Sequence, residues 1–212
     1  MKVNVFNLII LDESGSMGAI KKPAIDGLNE TLQSIRAAQK EHQDLQKHFV
    51  SLSCFNSSGI KTLYDCLPAV DIKTLNERDY HPDSCTPLYD AMGHCLSKLR
   101  HQLPAEEKNQ VLVTIITDGY ENASKEYNGS MIKHICQELK EKGWVFTYIG
   151  ANQDVEAVAD SLAIINSLSF VAGQEGVCCM VKQERKARAK FYNRISSSLL
   201  DESIDLQQDY FA

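Results

Sequence analysis

Two serines and an aspartate alternate in the stretch DESGS, where Asp12 ends an unbroken apolar run. Asp12, Ser14 and Ser16 are spaced by two residues, so a compact turn can direct three oxygens toward one point. Thr86 and Asp118 can add two more oxygens from separate segments of the chain. Because the donors are carboxylate and hydroxyl oxygens, the set suits a hard cation. These residue types therefore predict a divalent metal site.

The choice of metal follows from the size and hardness of the ion. Mg²⁺ fits such a set better than Ca²⁺, because it is smaller and keeps several of its waters. Zinc is disfavoured because the set contains neither His nor Cys. We therefore predict Mg²⁺ as the cofactor, with Mn²⁺ or Ca²⁺ as alternatives.

Strands and helices must position these oxygens. The segment VNVFNLIIL (residues 3–11) is apolar and β-branched, which predicts a buried strand ending at Asp12. QVLVTIIT (110–117) is the most apolar run and predicts a central strand that ends just before Asp118. TPLYDAMGHCLSKLR (86–100) has apolar residues on one face, which predicts a helix with Thr86 as N-cap and Pro87 in the first position.

The remaining elements complete the fold prediction. HFVSLSCFN and IKTLYDCL alternate like paired strands joined across SSG, while the other strands are separated by helices. This order predicts an α/β fold of three layers, with a mainly parallel central sheet, helices on both faces and one antiparallel edge strand. A long terminal helix from about Gly176 to Ser198 has Arg188 on its apolar side. We expect residues 1–200 to form one domain and residues 201–212 a loosely attached C-terminal tail.

The stretches DESGS, TPLYDA and TDG together resemble the three pieces of the metal-ion-dependent adhesion site of von Willebrand factor A (VWA) domains, in the same order. The resemblance covers roughly residues 3–198, with the predicted element order as the guide. Asp83-Ser84-Cys85 stands where that family usually has glycines before the threonine. The segment from Ile116 to Asp154 looks like intracellular bacterial members rather than secreted adhesive ones.

This resemblance implies a set of ligands and a function. The ligands would be Asp12, Ser14, Ser16, Thr86 and Asp118, some of them through water. The bound metal would offer an open position to a carboxylate on a partner protein. Intracellular relatives often work with AAA-type ATPases or stress-response proteins, so a partner of that kind is expected.

Composition argues against several other classes of function. The chain has 212 residues and a net charge of −6, which does not favour binding to nucleic acid or to an anionic membrane. Its seven cysteines are an odd number without a CxxC pair, as is typical of reduced thiols in a reducing compartment. Neither a signal peptide nor an apolar run of membrane length is recognised. We therefore expect a cytoplasmic protein.

Two alternatives remain open at this point. The first is structural: Asp12, Ser14, Ser16 and Thr86 could cap helices, and Asp118-Gly119 is a common turn dipeptide. The second is an Mg²⁺-dependent phosphotransfer or hydrolytic enzyme, which also uses the edge of an α/β sheet. The sequence lacks the patterns DxD, GxxxxGK and GxSxG that such enzymes often carry. We predict a binding module with no catalytic residue.

Other polar residues are assigned structural roles. The histidines show no metal-ligand spacing, and His94 and Cys95 are adjacent on a helix, so they do not share a face as a base and nucleophile would. Glu121 follows the third piece of the metal site and is interpreted as an exposed loop acid rather than a group that supports the site. The basic face of the terminal helix is interpreted as solvated.

Overall fold

The computed structural model describes residues 2–201, 203–207 and 210–211. Within these residues, six strands form one sheet and five α-helices cover it. The strands are β1 (Val3–Asp12), β2 (Gln46–Asn56), β3 (Gly59–Pro68), β4 (Asn109–Thr117), β5 (Val145–Gly150) and β6 (Asn166–Ser169). The helices are α1 (Lys21–Glu41), α2 (Leu88–Gln102), α3 (Gly129–Glu141), α4 (Val155–Ser161) and α5 (Gln174–Ser198). None of the described helices has both the length and the hydrophobicity needed to cross a bilayer.

The sheet has the strand order β3-β2-β1-β4-β5-β6. Only the pair of β2 and β3 is antiparallel, and these strands form the predicted hairpin at one edge of the sheet. The chain runs from β1 to β2 on one side and later adds β4 on the other side of β1. The strand order therefore reverses between β1 and β4, where ligands of open α/β sheets bind. The fold class predicted from the sequence is confirmed.

Helices cover both faces of the sheet, which explains why every residue of β1 is buried. Val5, Ile9 and Leu11 face one apolar core, which contains the buried residues of α1 and α5. Leu8 and Ile10 alternate with them and face a second core, which is formed with α2, α3 and α4. A strand covered on both sides reads as a continuous apolar run rather than as an alternating one.

A buried polar network joins α5 to the middle of the sheet. Arg188 is fully buried, and its Nη2 atom lies 2.5 Å from Oε1 of Glu184. Its guanidinium also donates to Asn7 Oδ1 at 3.1 Å and to Thr114 Oγ1 at 2.8 Å, on β1 and β4. The helical spacing placed Arg188 correctly on the inner face, where it binds polar strand residues.

Within the described residues, the C-terminal segment packs on the core at Tyr210, where our expectation of a loose attachment is wrong, while Asp201, Ser203 and Asp205 are exposed. Tyr210 is buried in the core beside α5, and its hydroxyl donates to Glu184 Oε1 at 3.2 Å. Asn166 of β6 donates to the carbonyl of Gln207 at 2.9 Å. Burial of an aromatic ring outweighs the polar composition of the segment. The division into a domain of residues 1–200 and a tail of 201–212 stays a prediction.

Candidate metal site

The segments that carry the predicted ligands meet at the carboxyl edge of the sheet. Asp12 is the last residue of β1, and Asp118 directly follows β4. Leu11 lies opposite Ile116 in the register of these parallel strands, so the two aspartates leave the sheet at nearly the same level. Thr86 lies in the loop that leads into α2. The topology thus brings together residues that are about a hundred positions apart in the sequence.

Four of the five predicted ligands form one connected cluster. The Ser16 hydroxyl donates to Asp118 Oδ1 at 2.5 Å, which links two separate loops. The hydroxyl oxygens of Ser14 and Ser16 are 3.2 Å apart. The Ser14 backbone N–H donates to Asp12 Oδ1 at 2.7 Å. The alternating pattern therefore does what its spacing predicts, because the turn directs side-chain oxygens toward one place.

Backbone hydrogen bonds hold Thr86 against both other loops. The Thr86 N–H donates to Asn122 Oδ1 at 2.8 Å, and the Asn122 N–H donates to the Thr86 carbonyl at 3.1 Å. Two residues earlier, the Ser84 carbonyl accepts from the Gly15 N–H at 2.9 Å. Among the residues described, the Thr86 hydroxyl makes no hydrogen bond to the other four candidate ligands. Its placement is therefore set by its loop, and its side chain is almost fully buried.

Helix capping does not explain these side chains. Ser14 occupies the N-cap position of a short 3-10 helix (Gly15–Ile20), but its side chain makes no capping hydrogen bond. The prediction that Thr86 caps α2 is wrong, since this helix begins at Leu88 and Pro87 is its N-cap. Pro87 has ψ of 65°, outside the helical region, so Thr86 lies one residue too far from the helix to cap it.

Burial makes the two carboxylates costly to ionise. Asp12 is 0% and Asp118 is 3% exposed, and no Lys or Arg among the residues described forms an ion pair with either. Burial raises the pKa of Asp12, hydrogen bonds from Thr117 and Ser14 lower it, and the charge of Asp118 raises it further. Burial also raises the pKa of Asp118, and the Ser16 hydroxyl opposes this. A cation between them would favour the charged form of both.

The sequence motif did not reveal Thr117 and Tyr80, which fix Asp12. Thr117 is fully buried and donates from its hydroxyl to Asp12 Oδ2 at 2.7 Å. The Tyr80 hydroxyl donates to the Asp12 backbone carbonyl at 2.5 Å. Thr117 lies directly before Asp118, so its place in the ITDG stretch was the available signal. Tyr80 comes from a loop for which the sequence gives no such signal.

Glu13 holds the first loop against two neighbouring segments. Its buried carboxylate accepts from the His81 N–H at 2.5 Å and pairs with Lys61 Nζ at 2.6 Å. Its carbonyl accepts from the Asp83 N–H at 2.9 Å. In the loop that contains Asp83 and Thr86, Ser84 has φ of +66°, a left-handed conformation that glycine adopts more easily. The segment without the expected glycines is therefore held in shape by these hydrogen bonds.

Glu121 connects the third loop to α2, and its interpretation as an exposed loop acid is wrong. The carboxylate of Glu121 accepts from the Tyr89 N–H at 2.9 Å, from the Ala123 N–H at 2.8 Å and from the Ser124 N–H at 2.7 Å. Asp90 of α2 makes the reciprocal connection, accepting three backbone N–H groups of residues 125–127. These bonds fix the loop that follows Asp118 against the first turn of α2, directly after the loop that contains Thr86.

The donor set is compatible with a hard divalent cation. It consists of two carboxylates and three hydroxyl groups, and each carboxylate keeps lone pairs beyond the hydrogen bonds described above. The described residues contain no cluster of three or more His, Cys, Asp or Glu side chains of the kind that binds a metal by itself. A cation here would therefore depend on the hydroxyl groups and on water as well as on Asp12 and Asp118.

Comparison with known proteins finds structures that resemble this chain but no matching sequence. No family model and no curated protein sequence matches the chain. The structure of the mussel byssus proximal thread matrix protein 1 with a zinc-occupied MIDAS motif matches 87% of this chain and 46% of its own, at 14% identity and a TM-score of 0.57. The chain thus spans slightly less than half of that protein.

Two further solved structures also resemble this chain at low sequence identity. The VWA domain of SpRpn10 matches 84% of this chain and 94% of its own, at 10% identity and a TM-score of 0.56. Manganese-loaded TRAP protein from Plasmodium vivax matches 85% of this chain and 72% of its own, at 18% identity and a TM-score of 0.52. The chain therefore has the α/β fold of von Willebrand factor A domains.

Proposed function

We propose that this chain is a protein-binding module that uses a divalent metal to recognise an acidic group on its partner. The observation that carries the proposal is the hydrogen bond between Ser16 and Asp118, which joins the first and third pieces of the motif beside the buried carboxylate of Asp12. Side chains that cap no helix and converge from separate loops are better explained by a shared ligand.

The metal would be held by Asp12, Ser14, Ser16, Thr86 and Asp118. Only two of these groups carry a formal negative charge, so a divalent ion bound there keeps its attraction for a further anion. When bound, the ion would supply an electrophilic position that a partner's carboxylate can occupy. The protein's contribution is to hold the oxygens in place, through Thr117, Glu13 and Glu121.

Mg²⁺ is the proposed metal, with Mn²⁺ or Ca²⁺ as alternatives, on the chemistry of the oxygen donors. The two metal-containing structures of the same fold hold zinc and manganese. The argument against zinc from the absence of His and Cys is therefore weaker than the sequence suggested, and zinc belongs in the metal titration. A non-catalytic role, a cytoplasmic location, a bacterial source and a partner from an ATPase or stress-response system stay predictions.

Affinity capture tests the proposal. The immobilised chain is exposed to an extract of its native cells in Mg²⁺, and retained proteins are eluted with EDTA. We expect EDTA to release proteins that Asp12→Asn does not retain. Asp26→Asn is the matched control, because Asp26 is exposed on α1 and, within the described residues, forms its one ion pair with Lys22. Retention of the same proteins in Mg²⁺ and in EDTA would contradict the proposal.

A parallel assay separates binding from catalysis. The wild type and Asp12→Asn are incubated with a generic phosphate ester in Mg²⁺. We expect no turnover by either protein. Mg²⁺-dependent hydrolysis by the wild type that is lost in Asp12→Asn would favour the enzyme alternative instead.

A further inference from the structure

A surface groove of about 330 Å³ lies between α1 and α5, on the face of the sheet away from α2. The two helices are parallel and in register along it. Gly27 packs against Val181, since a Cβ atom added at Gly27 would lie 2.5 Å from Val181 Cγ2. At the end of α1, His42 Nδ1 and Ser196 Oγ are 3.3 Å apart. Each residue of α1 therefore lies beside the residue of α5 that follows it by 154 positions.

Two exposed alanines mark the middle of this groove. Ala37 of α1 and Ala189 of α5 both line it, and the register places Ala189 at the level of residue 35 of α1. Side-chain size at the contact sets how closely two helices can pack. Another helical surface can therefore approach α1 and α5 closely at this level.

Basic side chains lie on α5 between this middle and the amino end of the helix. Lys182, Arg185 and Lys186 are exposed, and Arg185 lines the groove. Glu184, the one acidic residue between positions 176 and 198, is buried and paired with Arg188. Among the residues that the structure describes, the three exposed basic side chains form no ion pair. This part of α5 presents uncompensated positive charge.

Acidic side chains lie at the opposite end of the same face. Glu41, the last residue of α1, lines the groove, and Asp44 is exposed in the turn that follows. Neither forms an ion pair within the described part of the chain. Glu41 also lies at the negative end of the helix dipole, where a cation is favoured. Glu30 lines the groove at the level of Arg185, but no ion pair joins these two described residues.

The spacing of these charges makes the face complementary to itself. Arg185 lies at the level of residue 31 of α1, so Arg185 and Glu41 are equally far from residue 36, which lies between the levels of the two alanines. At about 1.5 Å per residue, each is roughly 7.5 Å from that midpoint along the helices. A two-fold axis through the midpoint, perpendicular to the groove, therefore places Glu41 of each copy over Arg185 of the other.

We propose that this face binds a second copy of the chain, with α1 of each copy antiparallel over α5 of the other. The alanines of both copies meet at the two-fold axis, Glu41 pairs with the partner's Arg185, and Lys182 faces the partner's turn at Asp44. The 21 residues of α1 extend over roughly 30 Å, and packed helices are about 10 Å apart. The contact on each copy is therefore on the order of 600 Å², as in weak, reversible interfaces.

This dimer leaves both candidate metal sites open. α1 begins at Lys21, shortly after the turn that carries Ser14 and Ser16, so its amino end lies near the edge of the sheet that carries the site. Residue 36 is about 22 Å further along the helix. Because the two-fold axis reverses the helix direction, the two sites lie at opposite ends of the dimer. The dimer therefore presents two binding positions, which is the arrangement that allows bivalent binding.

Sedimentation equilibrium of the purified chain tests whether the dimer forms. The chain has a mass of 23.7 kDa. From about 1 µM to about 300 µM, the range in which weak interfaces associate, we expect the mean mass to rise reversibly toward twice this value. A chain that stays monomeric over the whole range would overturn the proposal.

Exchange of charges tests the pairing itself. Glu41→Arg and Arg185→Glu each place like charges opposite one another at both symmetry-related contacts, so each should weaken association about tenfold or more. The variant with both changes restores opposite charges and should associate like the wild type. Lys108→Glu, exposed at the amino end of β4, is the control and should associate normally.

Melting curves confirm that each of these surface variants is folded. Association that is unchanged in either single variant, or that the double variant does not recover, would overturn the two-fold pairing of α1 with α5.

Discussion

Replacing Asp12 by asparagine distinguishes two possible roles of this residue, that of a metal ligand and that of a purely structural side chain. The test works because asparagine can keep the local hydrogen bonds. Its carbonyl oxygen can accept from the Ser14 N–H, as Asp12 Oδ1 does. Its amide can donate to Thr117 Oγ1, whose own proton has a second acceptor in the Gly119 carbonyl at 3.0 Å. The variant should therefore fold, and its main change is the loss of one buried negative charge.

Without metal, this loss should not reduce stability. Burial and the charge of Asp118 raise the pKa of Asp12 in the folded chain, so ionised Asp12 disfavours folding at neutral pH. The unfavourable contribution of Asp12 to the stability of the metal-free wild type should accordingly disappear as pH falls through the raised pKa toward 3.8. The substituted asparagine side chain is uncharged, so we expect metal-free Asp12→Asn to be at least as stable as the wild type at pH 7.

With metal, the order should reverse. A ligand that binds only the folded state stabilises it by about 2.7 kcal/mol at a concentration one hundred times its dissociation constant. For a chain of this length that corresponds to roughly 5 to 10 °C in melting temperature. We expect Mg²⁺ to give this increase in the wild type and in Asp26→Asn, but not in Asp12→Asn.

Thermal unfolding in EDTA and across an Mg²⁺ titration measures all three proteins. Trp144 is the single tryptophan and is buried, so its fluorescence reports unfolding of the core directly. If Asp12 is only structural, the variant will be as stable as the wild type or slightly less so at every Mg²⁺ concentration, and neither protein will respond to the metal. That outcome would refute the reasoning.

Three further predictions concern the fold and the loops. Glu184→Gln leaves the buried charge of Arg188 without its carboxylate partner, so it should lower the free energy of unfolding in urea titrations by about 3 to 5 kcal/mol. Glu175→Gln, at an exposed position of the same helix, is the control and should change it little. Ser84→Val should lower stability by about 1 to 2 kcal/mol because of the left-handed φ, and Ser84→Gly should not; equal stability of the two variants would contradict this. Burial lowers the pKa of His48 from 6.5 to about 3 in the folded chain, so its neutral form contributes fully to stability above pH 6.5. As pH drops from 6.5 toward 3, this contribution to the free energy of unfolding should fall by about 1.4 kcal/mol per pH unit. His48→Phe should remove this part of the pH dependence, which urea titrations at several pH values measure.

The sequence was sufficient for the fold because its apolar runs are long and clear. β1 and β4 are buried on both faces, and their continuous apolar character follows from that burial. Since carboxyl ends of parallel strands meet at one edge, the positions of Asp12 and Asp118 could be predicted together. The start of α2 could not be predicted to the residue, because Thr-Pro suits either an N-cap and first turn or the end of a loop.

The contacts that support the site could not be predicted from the sequence, for a different reason. Glu121, Glu13 and Tyr80 act through backbone groups of loops that are distant in the sequence, and no local pattern records such pairs. The same holds for Tyr210, whose burial depends on the space left beside α5. Local spacing identifies groups that share a turn, while the contacts between turns come from the tertiary fold.

A titration with Mn²⁺, followed by electron paramagnetic resonance of the free ion, tests the central claim most directly. We expect the wild type to bind one Mn²⁺ per chain and Mg²⁺ to displace it. Asp12→Asn and Asp118→Asn should each bind about tenfold more weakly or worse, and Asp26→Asn should match the wild type. A wild-type chain that binds no Mn²⁺ well into the millimolar range, or that binds it equally after loss of either aspartate, would contradict the assignment of this site.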